Sequence, residues 1–492
     1  MSDILAFDLG ASSGRAILGK LVNGKITTEE LHRFPNDPVQ VGDRLYWDLL
    51  RLYHEIKQGL LKAKHNGAEL SSIGIDSWAV DYGFIAEDGS LLGNPLHYRD
   101  RATEGKMEQL FAEIPAEEIF ARTGIQFLTF NTIYQLYARK QNQSPELGAA
   151  AHFLMIPDLL RYFLTGEKYN EFSNATTTQL YNPTTRQWDA ELIARLGLPV
   201  EWFGEVLEPG ALAGRLQPSV QEELGVGPIP VYAVAEHDTG SAVVAVPALE
   251  KSFAYLSCGT WSLLGTEIDQ PIINEEAQRL NFTNEGGFGG TFRLLKNIMG
   301  LWILQECRRE WEREGKSYSF PELVGLAGEA KSFASFINPD DPSFLAPGDM
   351  PERVKDYCVR TGQAVPEQPG EIIRCILESL AFTYRNVLEL TERISGQTFS
   401  GLHMVGGGIH NTLLCQWTAN ALGKPVWAGP AEGSALGNLA VQWIAQGEIQ
   451  DIWEARRIIR DSFPVTDYKP EDVAAWDDAY RRFLQVTGSS SN

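Results

Sequence analysis

Residues 4–21 read ILAFDLGASSGRAILGKL, and the rest of the chain is best taken outward from them. Leu5, Ala6 and Phe7 form an apolar run that ends in the carboxylate of Asp8. Gly10-Ala11-Ser12-Ser13-Gly14-Arg15 follows, small or flexible up to the arginine, and Ala16-Ile17-Leu18 resumes the apolar run. A buried strand thus ends in a tight loop with little side-chain bulk. Such a loop presents backbone N–H groups, which suit phosphate oxygens. Asp8 at the strand end suits a metal ion held through water, since Mg²⁺ keeps several waters and takes few carboxylates. Gly10, Ser12 and Gly14 also spell GxSxG, the nucleophile elbow of a serine hydrolase, but that elbow opens a helix. Here RAILGKLV runs on to Asn23-Gly24 and KITTEELHRF, and Asn-Gly between β-prone runs signals a hairpin. The loop therefore joins two strands. It carries neither GxxxxGK[ST] nor GxGxxG. On this stretch alone, a phosphate-facing loop and a plain Gly/Ser hairpin are both open.

A chain of 492 residues is expected to form two domains or more. Its net charge of −22 is the wrong sign for a non-specific nucleic-acid or anionic-membrane binder. No apolar stretch reaches the roughly 18 residues of a membrane span. MSDILAFDLG has no basic n-region and no long apolar h-region, so a cytoplasmic location is the expectation. The five cysteines, Cys258, Cys307, Cys358, Cys375 and Cys415, lack CxxC spacing, which disfavours a structural zinc site.

Strands are expected at about 3–8, 14–21 and 25–33. Leu49, Leu52, Ile56, Leu60 and Leu61 give helical spacing over 47–64. A second strand, Ser72-Ile73-Gly74-Ile75, again ends in a carboxylate, Asp76, with Asp81 close behind. His97-Tyr98-Arg99-Asp100-Arg101 reads either as a functional polar cluster or as a solvated loop. Helices are expected at 104–121, 132–141, 297–314 (with Asn297 able to cap it) and 371–395. In AVAEHDTGSAV, 233–243, a strand leads to His237-Asp238-Thr239-Gly240 and a small-residue helix. AYLSCGTWSLLG, 254–265, then repeats the layout of the opening, with its turn at Cys258-Gly259-Thr260. Two such hairpins suggest a duplicated fold with two phosphate-facing loops. A third glycine loop, Gly406-Gly407-Gly408, follows the strand ending at Val405, with a helix from about Asn411. Residues 448–492 read as an appended helical tail that frays at Ser489–Asn492.

Two glycine and hydroxyl hairpins can cradle a polyphosphate, and a third glycine run can pack flat on a nucleotide. In phosphoryl transfer a protein mainly positions and neutralises, while an aspartate accepts the proton of the attacking hydroxyl. Asp238 fits that role. Its competing reading is a helix N-cap, and that of His237 is a structural partner of the neighbouring Asp.

DLGASSGR, GIDSWAVDYG, HYRDRAT, GIQFLTFNTIYQL, NATTTQLYN, AEHDTGSAV, LSCGTWSLLG, TNEGG, LLKNIMGLW and HMVGGGIHN, in this order, resemble the FGGY family of carbohydrate kinases over about residues 3–447. The resemblance implies an α/β protein of two ribonuclease-H-like (actin-like ATPase) domains flanking a deep catalytic cleft. It implies a sugar-binding domain at 1–243, a nucleotide-binding domain at 244–447 and a helical extension at 448–492. It implies ATP and Mg²⁺ as cofactors and a small sugar as substrate, with no nucleic acid or membrane partner, in a monomer or homodimer. The expected reaction is phosphorylation of L-rhamnulose at its 1-hydroxyl in L-rhamnose catabolism, with L-fuculose or L-xylulose as rival ketoses.

Carried over by residue, the resemblance makes Asp238 the proton acceptor and Ala79, His237, Asp238, Thr239 and Asn297 the sugar contacts. Ala11, Ser12, Ser13, Gly14, Arg15, Thr260, Gln305 and Gly407 become nucleotide contacts, with Asp8 beside the metal. Where the family's sugar loop commonly reads DTWGVD, this chain has Asp76-Ser77-Trp78-Ala79-Val80-Asp81. Ala79 in place of glycine would be strained if the position needed positive φ. Cys358 and Cys375 sit where some members carry a paired cysteine. A non-catalytic sugar and nucleotide sensor is the rival of another class, and loss of the acidic residues would be its mark. Asp8 and Asp238 are both present.

Overall fold

A computed structural model describes residues 3–488, so the expected fraying at Ser489–Asn492 lies outside the described residues. The chain forms two compact units. The first takes the chain to Leu249 and adds Glu267–Leu294 and Gly433–Ser462; the second takes Glu250–Thr266, Leu295–Glu432 and the chain from Phe463. Each unit is built on a mixed β-sheet.

In the first unit β1 (Asp3–Leu9), β2 (Ser13–Val22), β3 (Lys25–Pro35), β4 (Leu70–Ser77), β5 (Leu212–Arg215) and β6 (Pro230–Tyr232) form a sheet of order β5-β6-β4-β1-β2-β3. β1, β4 and β6 run parallel, and β2 is antiparallel to β1. Every residue of Ile4–Leu9 is buried, as a central strand covered on both faces requires. The register sets Asp8 opposite Arg15 on one side and Asp76 on the other.

Helix Gly433–Ala445 covers this sheet and belongs to the first unit. Gln442 accepts from the Ser72 hydroxyl (2.6 Å) and donates to Leu5 O (3.2 Å), while Asn438 donates to Asp76 Oδ2 (2.6 Å). Gly437 is required here. A Cβ at this position would lie 1.7 Å from Ser241 O, the backbone of helix Asp238–Val244.

The second sheet carries β7 (Ala254–Cys258), β8 (Trp261–Ile268), β9 (Phe292–Met299), β10 (Leu402–Val405), β11 (Val426–Ala428) and β12 (Thr466–Tyr468) in the order β9-β8-β7-β10-β11-β12, with Thr283–Gly286 as a seventh strand at the edge beside β9. Again a central strand pairs antiparallel with its successor and parallel with later strands, and the far edge strand is antiparallel. Each turn is closed by a glycine N–H, but over different lengths: Gly259 N–H donates to Trp261 O (2.9 Å), two residues on, and Gly10 N–H to Ser13 O (2.9 Å), three residues on. The duplication read from the two hairpins is therefore present in the strand order.

Some local expectations are corrected. The helix expected at 104–121 is two, Lys106–Glu113 and Ala116–Thr123, broken at Pro115, because proline pushes the residue before it out of helical geometry. The helix expected from Asn297 begins at Trp302, and Asn297 lies within β9, so it caps nothing. The segment 448–492 divides into helix Ile452–Ser462 of the first unit, edge strand β12 and helix Val473–Thr487. His97-Tyr98-Arg99-Asp100-Arg101 is not a solvated loop. His97, Tyr98 and Asp100 are buried, His97 stacks on Trp47 with centroids 4.0 Å apart, and Asp100 accepts from Leu45 N (2.7 Å).

Candidate active site

Three carboxylates sit at the carboxyl ends of the adjacent parallel strands of the first unit: Asp8 in β1, Asp76 in β4 and Asp238 beyond β6. Open α/β sheets bind their ligands outside such strand ends. Asp76 is fully buried, and burial together with the negative charge of Asp8 pushes its carboxyl well above the usual range, against the hydrogen bond from Asn438. Asp8 Oδ2 accepts from Arg15 (2.8 Å), whose guanidinium thereby serves this carboxylate. Among the described residues no group of three or more His, Cys, Asp or Glu side chains forms a ready-made metal cage.

Asp238 opens helix Asp238–Val244, with His237 as the N-cap residue. The carboxylate is the more open part of the turn: its side chain is 27 % exposed against 7 % for His237. Asp238 Oδ1 accepts from the Thr239 N–H (2.5 Å) and hydroxyl (3.2 Å) and lies 3.4 Å from His237 Nε2. Among the described residues no donor meets Oδ2, which leaves one oxygen for a ligand hydroxyl. Burial raises the Asp238 carboxyl; His237 opposes that shift and the charge of Asp8 adds to it. Glu171 holds the turn from behind. Its Oε2 accepts from Glu236 N (3.1 Å) and the Ser173 hydroxyl (2.7 Å), and Ser173 Oγ accepts from His237 N (3.0 Å).

The loop after β4 carries Ala79, which is half-buried. The left-handed residue is not Ala79 but its neighbour Val80, at φ 65°. A β-branched residue there is a true outlier and costs about 1–3 kcal/mol, so its surroundings must impose it. Val80 O accepts from the Thr132 hydroxyl (2.6 Å). Asp81, fully buried, accepts from Trp47 Nε1 (2.6 Å), Trp78 Nε1 (3.0 Å), Tyr98 N (3.1 Å) and Gln135 Nε2 (2.9 Å). Even so, burial pushes its carboxyl up to about 7.

Of the nucleotide candidates, Ala11 and Ser12 lie in the first hairpin loop, with Ser12 exposed, while Ser13, Gly14 and Arg15 are the first residues of β2 rather than of the loop. Gly14 is fixed by packing: a Cβ would lie 2.3 Å from the Phe34 ring. Thr260, Gln305 and Gly407 belong to the second unit. There the Thr260 hydroxyl lies 3.4 Å from Gln305 Oε1, and helix Trp302–Arg313 begins beside the hairpin, with Leu301 and Trp302 N–H donating to Gly259 and Thr260 O (both 3.1 Å). Gly407 is exposed and follows β10, which runs parallel to β7, so both loops share one end of the sheet. Asn297 is half-buried in the second unit, whereas Ala79, His237, Asp238 and Thr239 share the first.

Sequence reasoning left Asp76, Arg293 and Glu285 out of the site. Asp76 carried the same strand-end signal as Asp8. Arg293 Nη2 lies 3.1 Å from His237 Nδ1 and Glu285 Oε2 3.2 Å from it, contacts that no local pattern announces. All five cysteines are buried free thiols, and those of Cys358 and Cys375 share a hydrogen bond that lowers the first and raises the second.

Comparison with known proteins agrees in both halves. Residues 3–245 match the N-terminal domain of the FGGY family of carbohydrate kinases, and residues 254–446 its C-terminal domain. A rhamnulokinase of Bacteroides thetaiotaomicron is 48 % identical over 481 residues, covering 98 % of each chain. One of Oceanobacillus iheyensis is 45 % identical over 464 residues, covering 94 % of this chain and 97 % of its own. In fold, the chain is similar to a xylulose kinase from Lactobacillus acidophilus (TM-score 0.83, 17 % identity, covering 99 % of this chain and 98 % of that one). It is also similar to a Plasmodium falciparum glycerol kinase solved with ADP (TM-score 0.76, 16 % identity, covering 98 % of each).

Proposed function

The chain belongs to the FGGY family of carbohydrate kinases, and we propose that it transfers the γ-phosphoryl group of ATP to the 1-hydroxyl of L-rhamnulose. The choice of sugar is supported by relatives named rhamnulokinase that are 41–48 % identical over nearly the full chain. The observation that carries the chemistry is Asp238: a carboxylate at a parallel strand end, one oxygen fixed by Thr239 and the other open.

In this reading Asp238 Oδ2 accepts the proton of the 1-hydroxyl as its oxygen bonds to the γ-phosphorus, and the bond from phosphorus to the β,γ-bridging oxygen breaks to release ADP. The raised carboxyl makes Asp238 a stronger base than an exposed aspartate, provided it is ionised at the working pH. His237, Thr239, Ala79 and Asn297 hold the sugar. The segment Ala11–Arg15, from the hairpin loop into the start of β2, with Thr260, Gln305 and Gly407, holds the nucleotide. Mg²⁺ fits the donor set at Asp8, because an ion that keeps most of its waters needs few carboxylates and the crowding of Asp8, Asp76 and Asp238 favours a cation. Bound there with ATP, it would neutralise phosphate charge.

The test is a substrate panel of L-rhamnulose, L-fuculose and L-xylulose under a coupled ADP assay. A clear preference for L-rhamnulose, with the 1-phosphate as product, is expected. A preference for another ketose would reassign the substrate, and no ADP release with any sugar would refute the kinase.

A further inference from the structure

Arg293 is fully buried in the first unit, and the TNEGG stretch at 283–287 holds it there. Its Nε donates to Gly286 O (2.9 Å), and its Nη2 lies 3.2 Å from Glu285 Oε2 and 3.1 Å from His237 Nδ1. A guanidinium has donors only. The nitrogen it meets on the imidazole must therefore present a lone pair, which leaves the ring proton of neutral His237 on Nε2. That atom faces Asp238 Oδ1 at 3.4 Å. One hydrogen of Arg293 Nη2 then serves His237 Nδ1, while Glu285 Oε2, 3.2 Å from both Nη2 and Nδ1, is an ion-pair partner of the guanidinium and hydrogen-bonds neither atom.

We infer that Arg293, held by Glu285, is a positioning residue that locks His237 in its Nε2–H tautomer, so that His237 donates toward Asp238 and cannot take its proton. The inference rests on the reading of Asp238 as the proton acceptor. A neutral imidazole already protonated at Nε2 has only Nδ1 left to protonate, and Arg293 occupies that side. The proton taken from the sugar hydroxyl therefore stays on Asp238 until it leaves to solvent.

The test is a two-bond ¹H–¹⁵N spectrum of the ¹⁵N-labelled full chain at neutral pH, with the His237 ring assigned by its loss in His237→Gln. The wild type is expected to show an unprotonated Nδ1 and a protonated Nε2. Glu285→Gln is expected to leave that pattern in place, because Arg293 still donates. Arg293→Met frees Nδ1–H to donate to Glu285. It is expected to move the proton to Nδ1 and to lower kcat about tenfold or more, with the sugar KM changed far less. A protonated Nδ1 in the neutral wild-type ring, or a proton that moves in Glu285→Gln, would overturn the inference. The wild-type spectrum decides even where Arg293→Met does not fold. Full turnover by Asp238→Asn would instead sink the base assignment and leave this spectrum unchanged, so the two failures are distinguishable.

Discussion

Asp238→Asn tests the proposed chemistry most directly. Asparagine keeps an oxygen at Oδ1, so the hydrogen bonds from Thr239 survive and the turn from His237 into its helix keeps its shape. The change falls on Oδ2, where an oxygen that accepts a proton becomes an NH₂ that only donates. Removing a positioned general base costs about 10²–10⁴ in rate, or about 3–5 kcal/mol of transition-state stabilisation. Ground-state binding has less to lose, because Thr239, His237 and Ala79 are unaltered. The expected outcome is kcat down by about 10²–10⁴ in the coupled ADP assay, with calorimetric binding of ATP and sugar nearly unchanged. Thermal stability should hold or rise slightly, since Asp8 and Asp76 lose a like-charged neighbour. Turnover within about threefold of wild type would refute the reasoning.

Gly437→Ala would drive a methyl into Ser241 O and is expected to destabilise the first unit by about 1–3 kcal/mol or more, read as a lower urea midpoint. Asp81→Asn leaves a single acceptor oxygen for Trp47, Trp78, Tyr98 and Gln135, at about 1–3 kcal/mol, and should also raise the sugar KM if the Ala79 loop shifts. The same residue carries a pH effect. Its folded carboxyl titrates near 7, above the unfolded value of about 3.9, so the folded state binds the extra proton between them. Its contribution to stability is therefore greatest at low pH and falls as pH rises toward 7, and the slope of urea midpoint against pH should flatten in Asp81→Asn. Thr260→Val is expected to raise the ATP KM about 2–10-fold without changing the sugar KM, as loss of one ordinary hydrogen bond would.

The strand-end aspartates and glycine loops were legible in the sequence because their signals are local. An apolar run, a carboxylate and a small-residue loop lie within a dozen positions. The sheet duplication was legible for the same reason, through two hairpins of one layout. Asn297 misled because a polar residue before a helical pattern reads as a cap, whereas β9 runs through it to Met299. β12 is a three-residue edge strand whose partner, β11, lies some forty residues earlier, so no periodicity marks it. The strain fell on Val80 rather than Ala79 because Asp81 and Thr132 set that loop from elsewhere in the chain. Arg293 and Glu285 reach His237 across about fifty residues, and only the folded sheet makes them neighbours.

The helix Gly433–Ala445 gives the chain an order of synthesis. Leu5, Gly19, Ser72, Gly74 and Asp76 all meet its side chains, so the sheet face they line stays uncovered while the ribosome adds the stretch from Leu249 to Ala445. At roughly 5–20 residues per second that wait is about 10–40 s. The unit that begins first cannot close until nearly all of the second has been made, and a fragment ending near residue 249 would keep that face open for good.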